Sequence, residues 1–255
     1  MNNISCVIIA KNAAGSLPKT LDSLADFSEV VVYDNGSTDA TKEIACQYAN
    51  VKLVCGEFYG FGETKNHAAS FASHDWILSL DADEVVTPEL LSAIASVELQ
   101  PEKVYRLVRV NYYRDHEIRY CWKQEHLTRL YHRGKTNFND YKVHEFVLDE
   151  GFDVVVLDGI LKHYPYANLG DFLQKADRYS TLFAQERCGK KQSSPVKAVI
   201  SAWFSFLKKY LFKLGFLDGY PGLVISVSHM VTNFYKYLKL YEANKDRADL
   251  RKPEV

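Results

Sequence analysis

The chain has 255 residues, a formal net charge of -1, 47% hydrophobic residues and 25% charged residues. These ordinary values exclude a disordered, collagen-like or fibrous protein, and the length suits one large domain or a domain of roughly 100–200 residues with an appendage. The near-zero total hides an uneven distribution: residues 1–100 hold 5 basic and 14 acidic side chains, and residues 190–255 hold 12 and 5, which points to an anionic partner near the C-terminus.

In chain order, the first hundred residues alternate between two periods. Residues 6–10 (CVIIA), 30–33 (VVVY), 51–54 and 76–80 are short apolar runs that predict buried parallel strands. Leu17, Leu21 and Leu24 share one helical face. Ser37 or Thr38 is positioned to cap a helix running to residue 49, and Thr87-Pro88 starts another. Strand–helix alternation predicts a right-handed, mostly parallel α/β sheet with helices on both faces, and ligands beyond the carboxyl ends of its strands. Those ends carry Lys11-Asn12, Asp34-Asn35-Gly36 and Asp81-Ala82-Asp83.

From residue 104 the pattern changes. Residues 104–113, 117–120, 127–131, 143–148 and 154–157 read as extended. Residues 169–187, 196–214 and 223–241 read as helices, broken at 189–195 and 215–222. The five cysteines are odd in number and form no C-x-x-C pair, which argues against a disulfide framework or zinc ribbon and for a reducing cytosol. No apolar run reaches the roughly 18–20 residues of a bilayer span, and the start lacks the features of a cleaved signal peptide. The expected location is cytoplasmic.

Two motifs carry chemistry. In LSLDADE, residues 78–84, an apolar strand ends in two carboxylates one residue apart. In an extended chain residues i and i+2 share a side, so Asp81 and Asp83 would face one divalent cation, which takes carboxylate and phosphate oxygens together. A bare DxD is more often turn chemistry. Its place at the fourth strand end, with DNGSTD at the second, favours function. In DNGSTD, residues 34–39, Asp34 at a strand tip is suited to accept from a base or ribose, and Ser37 and Asp39 are explained by a turn and a helix cap.

The runs VIIAKN, VVVYDNGSTDAT, GFGETKNHA and WILSLDADE resemble glycosyltransferase family 2, whose fold is GT-A. RLYHR, VHE, LKHYPY, GFLDG and KYLKL extend the resemblance over nearly the whole chain, towards the glucosyltransferases of the bacterial lipopolysaccharide inner core. The chain departs from that pattern at Ala13, where an acid is usual, and at Cys121, where Gly is usual. The resemblance implies a GT-A domain over 1–165, with a donor half (1–100) and an acceptor half (101–165), and a basic helical region over 166–255.

The resemblance also implies an inverting transferase that takes a hexose from a nucleotide sugar, UDP-glucose, to a heptose of a lipid-anchored core oligosaccharide. Mg²⁺ or Mn²⁺ would be the cofactor. The alternatives are a polyprenyl-phosphate or protein glycosyltransferase and an inactive scaffold. By the same analogy Lys11, Asn12 and Asp34 contact the nucleoside, and Lys65 and Asn66 lie near uracil or the diphosphate. Asp81 and Asp83 hold the donor through the metal, and His144 or His163 adds a ligand. Inversion needs a general base, and Glu125 and Glu145 are the candidates. The bland alternatives are a solvated Lys65 and carboxylates paired with Arg129 or Arg133.

In the last third, positions 196, 199, 200, 203, 207, 210, 211 and 214 form one apolar helical stripe, with Lys197, Ser201, Ser205 and Lys208 off it. Such a helix either packs on the sheet with its lysines wet or lies in a membrane interface. There anionic lipid attracts basic residues at about 1 kcal/mol each. No nucleic-acid motif accompanies the basic helices. The expected partner is the anionic inner face of the bacterial inner membrane.

Overall fold

A computed structural model of the chain describes residues 1, 3–141 and 145–249. They form two compact units: Met1–Asn111 with Gln124–Pro165, and Tyr112–Lys123 with the described residues of Tyr166–Val255.

The first unit begins with β1 (Ile4–Ala10), α1 (Leu17–Asp22), β2 (Glu29–Asp34), α2 (Thr41–Ala45), β3 (Val51–Cys55), α3 (Phe61–Ser70) and β4 (Trp76–Asp81). The four strands predicted in the first hundred residues are all present, whereas of the extended segment 117–120 only Glu117 lies in a strand. β1 pairs in parallel with β2 and β4, and β2 with β3. The chain then adds β5 (Glu84–Val86), α4 (Pro88–Ser96) and β6 (Lys103–Tyr113). After β7 (His116–Glu117) it adds β8 (Glu125–His132) and β9 (Asp153–His163). The strand order is β3-β2-β1-β4-β8-β6-β9-β5, with β8 antiparallel to both neighbours.

Alternation along β1 explains the layering. Cys6 and Ile8 face a core with Leu17, Leu21 and Leu24 and with Leu90 and Ile94 of α4. Val7 faces the opposite core, with Ala68 and Ala69 of α3. Period-two strands buried on both faces are what an apolar run without polar alternation encodes. The sheet order reverses on either side of β1, which opens a crevice at the strand tips. Register sets those tips level: Ala10 pairs with Asp34, and Ile9 with Asp81.

Of three local expectations, two change and one holds. The helix after DNGSTD is only Thr41–Ala45, and its first N–H is taken by the Asp39 carboxylate at 3.1 Å, whereas Ser37 and Thr38 bond to Asn12 instead. Thr87 does cap α4, accepting from the Leu90 N–H. Of the extended 143–148 segment, the described part shows an isolated bridge, Phe138 with Val147.

The second unit is helical: α5 (Leu169–Arg187), α6 (Pro195–Leu207), a π-helical turn (Lys208–Phe212), a 3-10 turn (Gly215–Asp218) and α7 (Gly219–Asp249). A capping box, Asn168 with Asp171, starts α5, and Ser194 caps α6. The Asp218 carboxylate accepts N–H bonds from Arg119, Tyr120 and Cys121. Burial first, and then Asp218, pushes the Cys121 thiol up to about 11. A Cβ on Gly215 would sit 2.7 Å from the Cys121 sulfur, so GFLDG shapes the seat of the 119–121 loop. The predicted 196–214 helix exists as α6 and the π turn, but its apolar stripe is not buried. Ala198 and Ala202 are the buried residues of α6.

Candidate active site

The strand tips carry the predicted residues. Asn12 follows β1 in a left-handed conformation, φ 53°, which Asn tolerates better than most residues. Its N–H donates to Ser37 Oγ at 2.8 Å, and its Oδ1 accepts from the Thr38 N–H at 2.8 Å. Asn12 therefore ties the first tip to the second. Lys11 is exposed beside it.

Asp34 ends β2 and is buried. Its Oδ1 accepts from the N–H groups of Gly36 and Ser37 at 3.1 and 3.0 Å, a turn that Gly36 permits at φ +95°. Its Oδ2 is buried without a partner among the described residues. A buried acceptor left unpaired is costly and marks a place for a ligand donor.

Asp81 and Asp83 do not share an extended strand. β4 stops at Asp81, Ala82 and Asp83 form a turn, and β5 starts at Glu84. The i, i+2 geometry therefore does not hold, and the two carboxylates meet different partners. Asp81 takes Lys65 Nζ on Oδ1 at 2.8 Å and Arg129 Nη2 on Oδ2 at 2.9 Å, with Arg109 at 3.6 Å. Burial would raise its pKa, but Lys65, Arg129 and Arg109 outweigh it and hold the carboxyl well below the usual range. Asp83 Oδ2 faces His163 Nε2 at 3.5 Å. β5 and β9 pair so that Glu84 is opposite His163. The other ring nitrogen, Nδ1, lies 2.7 Å from Asn111 Oδ1 and donates to it. In the neutral ring this aims the Nε2 lone pair at the Asp83 carboxylate. Two acceptors facing each other fit a cation between them.

Lys65 is not solvated. It sits on α3, 2% exposed, and bridges Asp81 to Glu145 Oε1 at 3.0 Å. Its ammonium also lies 5.1 Å from the Phe138 ring centre. Asn66 is occupied structurally: it donates to the Phe138 carbonyl at 2.8 Å and accepts the Phe138 N–H at 2.9 Å. A Cβ on Gly62 would fall 1.9 Å from the Asn139 carbonyl oxygen. The second glycine of GFGETKN thus lets α3 approach that segment.

Glu125 and Glu145 line one pocket of about 380 Å³ together with Asp81, Arg109, Arg129 and Phe138. Glu125 accepts Arg109 Nη2 and Nε at 2.6 and 3.0 Å, both on Oε2. The bland alternative pairs it with Arg129 or Arg133. Arg129 is instead taken by Asp81 and Glu84, and Arg133 by Asp75. His144 lies outside the described residues.

Sequence reasoning passed over Glu84, the centre of this network. It is 0% exposed, accepts Arg109 at 2.9 Å and Arg129 at 3.2 Å, and takes the Asp81 N–H at 2.9 Å on its other oxygen. The signal was available: Arg109 and Arg129 interrupt apolar strands, and a charge inside a buried strand requires a partner. Among the described residues, no group of three or more His, Cys, Asp or Glu is arranged to hold a metal ion. A cation at Asp83 and His163 would therefore draw further oxygens from substrate phosphate and water, the usual habit of Mg²⁺.

Residues 5–152 match the family described as Glycosyl transferase family 2. A glycosyltransferase of Rickettsia typhi, of uncharacterised role, is 30% identical over 95% of this chain and 88% of its own. The lipopolysaccharide core biosynthesis glycosyltransferase LpsC of Rhizobium meliloti is 27% identical over 96% of this chain and 94% of its own. The solved structure of S. aureus TarS 1–349 in complex with UDP-GlcNAc shares the fold at a TM-score of 0.50 and 14% identity, over 99% of this chain and 93% of that one. The matched segment contains Asp34, Lys65, Asp81, Asp83, Glu125 and Glu145, so the charged network lies inside the family's own domain and the chain belongs to glycosyltransferase family 2.

Proposed function

We propose that the chain is an inverting transferase that moves a hexose from a nucleotide sugar, UDP-glucose, to a heptose of a lipopolysaccharide inner core. The observation that carries the donor side is the facing pair Asp83 and His163 at 3.5 Å, a fitting two-donor seat for Mg²⁺ or Mn²⁺. Such a cation, when bound, supplies positive charge to a departing diphosphate. Asp34 Oδ2 accepts a nucleoside N–H or O–H, with Lys11 and Asn12 at the neighbouring tip. Asp81 acts mainly through its cations: it holds Lys65 and Arg129 beside the donor. The acceptor is supported by likeness to the Rhizobium meliloti core enzyme along nearly the full length of both chains.

Glu125 is the general base in this reading. Its Oε2 is oriented by Arg109, which leaves Oε1 to take the proton of an acceptor hydroxyl. Glu145 keeps Lys65 in place.

The test is transfer to purified truncated core acceptors with a panel of nucleotide sugars, read by product mass. A hexose increment is expected only on heptose-bearing acceptors and only with a divalent cation. Asp83→Ala should lower turnover more than about a hundredfold, with an unchanged melting midpoint. Glu125→Gln should lose turnover but keep donor binding. Full activity in Asp83→Ala removes the metal assignment, and normal turnover in Glu125→Gln removes the base. Transfer to a polyprenyl phosphate instead redirects the acceptor.

A further inference from the structure

A helix in a water-soluble fold ordinarily turns its large apolar side chains inward. α6 does the reverse. Its buried residues are Ala198 and Ala202. On the same side Ser205 accepts a bond from Asn233 of α7 at 2.9 Å, so α7 approaches along a face of small residues. Val196, Ile200, Trp203, Phe204, Leu207 and Leu211 lie outward. Ile200 is 64%, Trp203 57% and Phe204 61% exposed, and Phe212 in the π turn reaches 75%. At the α-helical repeat the five of these positions that belong to α6, Val196, Ile200, Trp203, Phe204 and Leu207, fall within an arc of about 100°, opposite the alanines. Single exposed apolar residues are ordinary, but a continuous stripe marks a docking surface.

Charge says what covers it. Residues 190–217 contain six lysines and no acid. Lys209 turns inward to the Cys121 carbonyl at 3.4 Å, while Lys197, Lys208 and Lys213 are exposed. The next acid, Asp218, is spent on three backbone N–H groups. A second copy of the same face would bring lysine against lysine, which like charge opposes. An anionic lipid surface matches both the hydrocarbon and the lysines. No helix among the described residues is long and apolar enough to cross a membrane, so the fit is to the interface and not the bilayer interior.

We propose that the outward stripe of α6 and Phe212 insert into the interfacial layer of an anionic bilayer, with Lys197, Lys208 and Lys213 on lipid phosphates. The test uses the full chain without sugar donor or acceptor, mixed with phosphatidylcholine vesicles that contain or lack phosphatidylglycerol. Sedimentation with the anionic vesicles is expected, and far less with phosphatidylcholine alone. Brominated acyl chains should quench tryptophan emission, and Trp203→Phe should remove that quenching. Trp203→Ser with Phe212→Ser should weaken binding about tenfold or more at an unchanged melting midpoint, as should Lys208→Glu with Lys213→Glu.

The proposal is overturned if the wild-type chain does not bind anionic vesicles, or if the serine variant binds equally well. A solution dimer that Trp203→Ser dissociates would also overturn it, by making a second copy the cover. Should the serine variant fail to fold, quenching in the wild-type chain decides. Vesicle binding needs no transfer reaction, so its failure and a failure of the donor or acceptor assignment read out separately.

Discussion

The sheet unit puts charges where most proteins put hydrocarbon, and the helical unit puts hydrocarbon where most put charge. In the first, Lys65, Glu84 and Arg129 are buried, and each is paired with a group of opposite sign. In the second, α6 packs through alanine and serine and leaves Trp203 and Phe204 in water, as the π turn leaves Phe212. Both arrangements cost stability when judged as folding alone. A local rule broken in this way is expected at a functional site. Under the two proposals above, the difference corresponds to two kinds of site: a pre-organised charged pocket for a small polar ligand, and an adhesive face for a broad surface.

Removing Glu84 should break the first half of that contrast hardest. Glu84→Ala leaves two guanidinium groups facing one another without their shared carboxylate, and a loss of about 3–5 kcal/mol is expected, read from the urea midpoint. A loss below about 1 kcal/mol would mean that Arg109 and Arg129 re-pair with Asp81 and Glu125 and that the buried charge is not structural.

The helical unit also carries a half-buried histidine whose charged form is disfavoured. Burial, with Lys209 and Lys213 nearby, pushes His229 down from 6.5 to about 4. The unfolded chain takes up this proton near pH 6.5 and the folded chain only near 4. The contribution of neutral His229 is thus whole above about pH 6.5 and is lost as pH falls towards 4, about 3 kcal/mol in all. His229→Gln should flatten that acid limb when urea midpoints are compared between pH 4 and 7. An unchanged slope would assign the acid sensitivity to other groups.

The smallest expected effect is the sharpest for α6. Ala198→Leu, on the face towards α7, should cost about 1–3 kcal/mol by overpacking. Ile200→Ser, on the outer face, should stay within about 0.5 kcal/mol although it removes the larger apolar side chain. Thermal melts of the two variants decide; equal losses would mean that the outer face is packed after all.

The parallel core of the sheet was legible because β-branched runs at 6–10 and 30–33 have one low-energy solution when helical patterns separate them. Helix α5 was legible to the residue, Leu169–Arg187, since Asn168 supplies a cap and Gly189 a stop. Asp34 was read at its true position, but its unpaired oxygen was not, because satisfaction of an acceptor depends on neighbours distant in sequence. The i, i+2 argument for Asp81 and Asp83 failed because the chain turns between them. Only the pairing of β5 with β9 brings His163, about 80 positions later, to Asp83. Glu84 was passed over because its partners, Arg109 and Arg129, come from β6 and β8.

The sequence by itself determined the four parallel strands, the helical character of the last third, the order of the strand tips, the family and the opposed charges of the two ends, since each follows from local period, motif or count. Tertiary structure alone decided which carboxylate is paired with cations and which faces a histidine, and which side of α6 is wet. A helical pattern states that an apolar stripe exists; it does not state whether protein or something else covers it. In α6 the close approach of α7 to Ala198 and Ala202 left the larger side chains outside, because packing selected the face with the better fit and not the more apolar one.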